Sequence, residues 1–305
     1  MIFYNGTTGS LGRYFANAAR NLSTSAVALR SRLEDRAGLR SEIETVSGES
    51  AILILLAAKV SVPWCESHPE EARRTNVEDT VEFVRVFVEV CRAKGVAPEV
   101  VYVSSAHLYA RNDGRIHETD PALPRSVYAR TKLEAESALR SLSDAFGFDL
   151  RVARVFGLVA PIQPENYVLH SLLRRAREMN LKDIPGLSNV RDYLDSRDVC
   201  RSLIRIAEVP RDRFARVCPD GVLNVCAGEG ITIRRLAETC LEALYPASEA
   251  RVLRSELSEA PPRADDVPRI VGSGDRYRAL FGENPKTISI EETVRDAVTT
   301  PKASG

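Results

Sequence analysis

Ile2-Phe3-Tyr4-Asn5-Gly6-Thr7-Thr8-Gly9-Ser10-Leu11-Gly12 decides how this 305-residue chain is read. Apolar residues make a buried strand, and three glycines follow at intervals of three. Glycines in that pattern permit a tight turn, close approach of the backbone to a pyrophosphate, and close packing of the next helix. The helix expected from Leu11 to Leu22 would bring its partly positive N-terminus to the same phosphates. Gly6, Thr8, Gly9, Ser10, Leu11 and Gly12 are therefore candidate dinucleotide-binding residues. An ordinary strand-to-helix turn is the plain alternative, because glycine triplets are common.

The order of elements beyond the turn strengthens the first reading. Ala26 to Leu29 is a second strand, Leu39 to Val46 a short helix, and Ala51 to Leu56 (AILILL) a fully apolar strand. A long amphipathic helix spans about Thr75 to Ala93, with apolar Val77, Val81, Val84, Val88 and Cys91. Glu99 to Ser104, Tyr128 to Phe146 and Phe148 to Phe156 read as strand, helix and strand. Continuous apolar strands alternating with helices imply an α/β, Rossmann-type doubly wound parallel sheet. Frequent prolines and short elements in the second half suggest a smaller substrate-binding lobe. The expected division is residues 1–157 and 158–305, with later strands near 190–226 able to rejoin the sheet.

Composition narrows the class. The 42 basic and 42 acidic residues cancel, so no global field favours nucleic acid or a membrane surface. No apolar run approaches bilayer-spanning length. The six cysteines form no C-x-x-C pair or metal spacing and fit reduced thiols. The chain opens on a core strand, which leaves no room for a signal peptide; a cytoplasmic protein is expected.

A second constellation lies downstream. Tyr128 and Lys132 are four residues apart on one helix face, and Ser105 leaves a strand end. A phenol ordinarily loses its proton near pH 10, but an adjacent ammonium and a nicotinamide cation would lower that. Tyr128 would then be a general acid toward a carbonyl oxygen, or a base in reverse. Lys132 could also hold the nicotinamide ribose, and Ser105 could hydrogen-bond the reacting oxygen. At the end of the second strand, Arg30 and Arg32 suit a ribose 2′-phosphate, so NADP is favoured; nearby Glu34 and Asp35 keep NAD open.

The chain resembles the extended short-chain dehydrogenase/reductases, the group of nucleotide-sugar epimerases, dehydratases and reductases. The resemblance rests on the glycine turn, Asn76-Val77 with Thr80, and Val101-Tyr102-Val103-Ser104-Ser105-Ala106. It continues through Glu118, Pro121 and Pro124 ahead of Tyr128-Ala129-Arg130-Thr131-Lys132. Further matches are Arg191-Asp192-Tyr193-Leu194 with Asp198-Val199, and Leu223-Asn224-Val225-Cys226-Ala227-Gly228. It implies that Ala57, Ala58 and Asn76 join the cofactor-binding residues. It also implies a homodimer paired through the helices from about Thr75 and Tyr128, and a nucleotide-sugar substrate.

The C-terminal half is most similar to the GDP-4-keto-6-deoxy-D-mannose reductases. By that likeness Arg191 and Arg263 would grip the substrate diphosphate. Where the family usually has an asparagine after Arg154, this chain has Gly157. The 4,6-dehydratases carry Asp-Glu after the serine or threonine; this chain has Ala106-His107, which argues against dehydration. In GDP-fucose synthases an acid/base cysteine stands where His107 is. His107, titratable near neutrality, could shuttle a proton or bind substrate. The leading expectation is NAD(P)-dependent reduction of the 4-keto group of an NDP-4-keto-6-deoxyhexose. An epimerase retaining NAD and a non-catalytic dinucleotide sensor are the alternatives.

Overall fold

The computed structural model describes residues 1–261 and 267–300. In chain order the strands are β1 (Ile2–Tyr4), β2 (Ala26–Ala28), β3 (Ser50–Leu55), β4 (Ala97–Ser105), β5 (Asp149–Val155), β6 (Gly157–Val159), β7 (Val190–Arg191), β8 (Tyr193–Asp195), β9 (Val222–Val225), β10 (Ile231–Thr232) and β11 (Arg269–Ile270). The helices are α1 (Gly12–Asn21), α2 (Arg36–Glu42), α3 (Val62–Ser67), α4 (Pro69–Arg73), α5 (Thr80–Ala93), α6 (Val127–Phe146), α7 (Val168–Arg177), α8 (Ser196–Glu208), α9 (Arg211–Val217), α10 (Ile233–Leu244), α11 (Ala247–Glu256), α12 (Asp275–Phe281) and α13 (Ile290–Thr299).

Six parallel strands form the central sheet in the order β2-β1-β3-β4-β5-β9. The alternation of strand faces explains why both sides are covered. Ile2, Tyr4, Ile52, Ile54, Val101, Ala153 and Val155 share one core with α1 and α8. Phe3, Leu53, Leu55, Val100, Tyr102 and Val152 share another with α2, α5 and α6. After β1 the chain moves to β2 on one side and returns to β3 on the other. That reversal opens a crevice at the carboxyl ends of β1 and β3, the usual ligand position in such sheets.

A further core joins α7, α10, α11 and α13 around Leu169, Leu236, Leu253 and Val294. Strand β7 pairs antiparallel with β10 and parallel with β11, while β6 pairs with β8. These strands of two or three residues bring Arg191 to the mouth of the sheet. The long helix expected from Thr75 instead begins with a π-helical stretch, Arg74–Asp79, before α5. Such wide turns often mark functional sites.

One buried arginine ties the sheet to α8. Arg151 on β5 is 2% exposed, and its guanidinium pairs with Glu99 at 3.0 Å and Asp149 at 2.7 Å. It also donates to the carbonyls of Ile206, Ala207 and Val209 at the end of α8. Arg151→Met leaves two carboxylates and three helix-end carbonyls without that donor. The expected cost is about 3 kcal/mol in urea unfolding, as for a broken buried pair.

Candidate active site

The glycine turn is built by backbone contact. Gly6 has φ +67°, and a Cβ there would lie 2.8 Å from the Ala57 amide. A Cβ on Gly12 would collide with the Gly6 carbonyl and lie 2.7 Å from Thr7 Cα. Asn5 closes the other side: its Oδ1 accepts from the Leu56 and Ala57 amides at 2.8 and 3.0 Å. The ends of β1 and β3 are thereby locked together, with Ala57 and Ala58 beside the turn.

Helix α1 has no side-chain cap, and the amides of Ser10, Leu11 and Gly12 find no backbone acceptor among the described residues. Thr8, Gly9, Ser10 and Arg13 line a cavity of ≈ 650 Å³. Open helix-start amides beside a guanidinium suit a diphosphate, so these residues fit the dinucleotide expected of them. Tyr167, from the loop before α7, lines the same cavity as Ser10.

Arg30 and Arg32 are exposed after β2. Glu42 accepts from the Arg30 and Ser31 amides at 3.0 and 3.3 Å, which fixes the loop. Glu34 lies 3.9 Å from Arg32, and Asp35 caps α2 by accepting from Gly38. Asn76, in the π-helical stretch, is 1% exposed. Its Oδ1 accepts from the Lys59 amide, and its Nδ2 donates to the Lys59 carbonyl and to Thr131 Oγ1. Both amide hydrogens are thus spent on the protein. Asn76 joins the loop after Ala58 to α6, an arrangement its sequence position did not disclose.

Ser105, Tyr128 and Lys132 come together across β4 and α6. Ser126 caps α6 by accepting from the Ala129 amide, and the Glu66 carboxylate accepts from Val127 N at 2.7 Å. Two oxygens from different elements therefore hold the first turn that carries Tyr128. The Ser105 side chain lies beside the Tyr128 phenol, and its Oγ accepts from the His107 amide at 3.2 Å. Burial pushes this phenol up to about 12, with the influence of Ser105 opposing it. The expected lowering by Lys132 does not occur in the protein alone, because burial also brings the Lys132 ammonium down to about 7. At neutrality Tyr128 holds its proton, as a general acid must.

His107 follows in a short 3-10 turn, its ring 6.2 Å from that of Tyr128. It lines a cavity of ≈ 490 Å³ with Glu66, Tyr109, Arg125, Ser126 and Arg191. Partial desolvation and the nearby Arg191 guanidinium press His107 below its ordinary value, while its exposed position keeps solvent on the ring. One face of the ring opens to the cavity, so water there tempers the shift and an occupant would enforce it.

Arg191 donates to the Val190 carbonyl and faces the same cavity. Its neighbour Asp192, 1% exposed, accepts from the amides of Ala227, Gly228 and Gly272. Those bonds bind two segments, residues 227–228 and 272, behind Arg191. A side chain at position 157 would strike the Tyr193 ring at 2.6 Å, so the asparagine expected by resemblance has no room. Arg263 lies outside the described residues.

The sequence model of the NAD dependent epimerase/dehydratase family matches residues 3–226. The chain belongs to this family. It is 27% identical over 252 residues to the GDP-6-deoxy-D-mannose reductase of Pseudomonas aeruginosa, covering 80% of this chain and 77% of that one. It is 25% identical over 283 residues to the probable UDP-glucuronate 4-epimerase of Rhizobium meliloti, covering 88% and 78%. Its fold is similar to RMD from Pseudomonas aeruginosa complexed with NADPH, with TM-score 0.79, 24% identity and coverage of 98% and 97%. It is also similar to the UDP-glucose 4-epimerase of Thermus thermophilus complexed with NAD, with TM-score 0.75, 21% identity and coverage of 97% of each chain.

The matched stretch spans the glycine turn, Ser105 at the end of β4, and Tyr128 and Lys132 on α6. Among the described residues no helix is long and apolar enough to cross a membrane. The six cysteines are all buried and unbridged.

The shifted lysine has a consequence for stability. A Lys132 that loses its proton near 7 in the folded state and near 10.5 when unfolded binds fewer protons folded across that interval. Folding stability from this group therefore rises with pH between about 7 and 9. Lys132→Met removes that rise, which urea titrations at stepped pH would show.

Proposed function

We propose that this enzyme reduces the 4-keto group of an NDP-4-keto-6-deoxyhexose, with NADPH as the favoured cofactor. One observation carries the reading: Tyr128 keeps its proton at neutrality beside Ser105, and its ring lies 6.2 Å from that of His107, which lines a cavity with Arg191. The nicotinamide, when bound, supplies the hydride. Tyr128 gives its proton to the carbonyl oxygen as negative charge develops there, and Ser105 hydrogen-bonds the same oxygen. Lys132 beside them favours the phenolate left behind and offers donors to the nicotinamide ribose. His107, at the cavity wall beside Tyr128, hydrogen-bonds substrate. Arg191 takes the substrate diphosphate, and Arg263 is proposed to share that task.

The cofactor site follows the same chemistry. Gly6, Thr8, Gly9, Ser10, Leu11 and Gly12 would carry the cofactor diphosphate, with Ala57 and Ala58 alongside. Arg30 and Arg32 would take a 2′-phosphate. The nearby carboxylates of Glu34, Asp35 and Glu42 are engaged by Arg32, the α2 amides and the Arg30 loop respectively. Similarity to the Rhizobium meliloti 4-epimerase over 88% of the chain supports a second reading, an epimerase with retained NAD. A homodimer paired through α5 and α6 completes the proposal, and light scattering tests it.

Nicotinamide fluorescence titration of cofactor-stripped protein separates the two readings. The reductase should prefer NADPH, and replacing Arg30 and Arg32 together by Ala should weaken NADPH at least tenfold while sparing NADH. Tight NAD that survives stripping would move the assignment to the epimerase. With GDP- and dTDP-linked 4-keto-6-deoxyhexoses, Tyr128→Phe should lower kcat by about 10²- to 10⁴-fold and leave NADPH affinity within about threefold. Unchanged turnover in that variant would remove Tyr128 from the chemistry.

A further inference from the structure

Lys132 is an enclosed cation with an unusual set of partners. It is 3% exposed, and no protein acceptor hydrogen-bonds its ammonium among the described residues. Its Nζ instead lies 4.2 Å from the centroid of the Tyr102 ring. Tyr102 belongs to the face of β4 that α6 covers, and it is 2% exposed. Its hydroxyl has no hydrogen-bond partner, so the ring face is the part of this side chain that meets another group's charge.

Behind the lysine, one helical turn on, lies Glu136, also 3% exposed. Arg154 on β5 holds both its oxygens, Nε to Oε1 at 3.1 Å and Nη2 to Oε2 at 2.7 Å. Arg154 in turn stacks 4.8 Å from the Tyr109 ring and donates to the Glu118 carbonyl. The titratable and charged groups around Lys132 are thus Tyr128 and Glu136 on α6, Tyr102 on β4, Arg154 on β5, and Tyr109 after β4. Glu136 favours the charged lysine, but its oxygens are already committed to Arg154.

We propose that the Tyr102 ring is a seat for the Lys132 ammonium, keeping it charged and in place while leaving its N–H donors open toward the cofactor and Tyr128. A carboxylate or carbonyl in the same place would hold the lysine by consuming those donors. An aromatic face attracts the charge through its quadrupole without accepting a conventional hydrogen bond. The Arg154-bound Glu136 supplies a fixed counter-charge that does not draw the ammonium away. Tyr102 is accordingly a positioning residue, and its hydroxyl is dispensable. This inference rests on the reading that Lys132 works at the active site.

Lysine labelled with 13C and 15N at the side-chain terminus gives a readout that does not need substrate or cofactor. The chain has six lysines, and Lys132→Met assigns the relevant resonance. Tyr102→Phe keeps the ring and should leave the Lys132 titration and the pH–rate profile unchanged. Placing 3,4,5-trifluorophenylalanine at position 102 weakens the negative ring face at nearly constant shape. It should lower the Lys132 midpoint by about half a pH unit relative to the Phe variant. The basic limb of the rate profile should move with it, and NADPH affinity at pH 8 should fall about twofold to threefold.

An unmoved lysine midpoint in the fluorinated protein overturns the seat, whatever the activity does. A midpoint that moves while rate and NADPH affinity stay fixed supports the seat and instead overturns the active-site reading of Lys132. Tyr102→Leu is a secondary comparison, because its smaller side chain can admit water; circular dichroism of each variant establishes that it folds.

Discussion

Where α1 starts, its backbone runs so close to the preceding turn that a single added methyl group at Gly12 would collide with the Gly6 carbonyl. Much of the site depends on that approach. It sets α1 against the sheet, leaves helix-start amides facing the cavity, and places Gly6 against the Ala57 amide across the gap to β3. Asn5 completes the constraint by accepting two amides from β3's end. The crevice created by the reversal of strand order is thereby held open at a defined width.

The catalytic side of the crevice is governed by desolvation. Tyr128 retains its proton and Lys132 yields its proton more readily for one reason: burial penalises the charged form of each. Opposing forces come from particular partners, Ser105 for the phenol and Glu136 for the lysine. A bound dinucleotide and substrate would add charges to this balance. The protein itself contributes a protonated phenol and a lysine brought down toward neutrality.

Rigidity comes from polar ties between distant segments. Asn76 joins Lys59 to Thr131, Glu66 reaches the first amide of α6, and Asp192 gathers Ala227, Gly228 and Gly272. Each tie satisfies buried or helix-end groups that would otherwise be costly to leave unpaired. Each also aligns a loop with the elements that carry the site. The close approach of the Tyr193 ring and the Asp192 carbonyl leaves no room for a side chain at Gly157.

The sequence by itself determined the glycine turn, the alternating buried strands and the Tyr128–Lys132 face. Those features follow from local sterics and from helix and strand periodicity, which act over a few residues. The two- and three-residue strands around Arg191 carry no readable period, and helices α11, α12 and α13 were hidden among prolines and charges. Tertiary structure alone decided that Tyr102 lies under Lys132, that Asn76 spends its amide on Thr131, and that His107 meets Arg191 in one cavity. These outcomes depend on which surfaces meet and how much water they exclude, and residues far apart in the chain supply both.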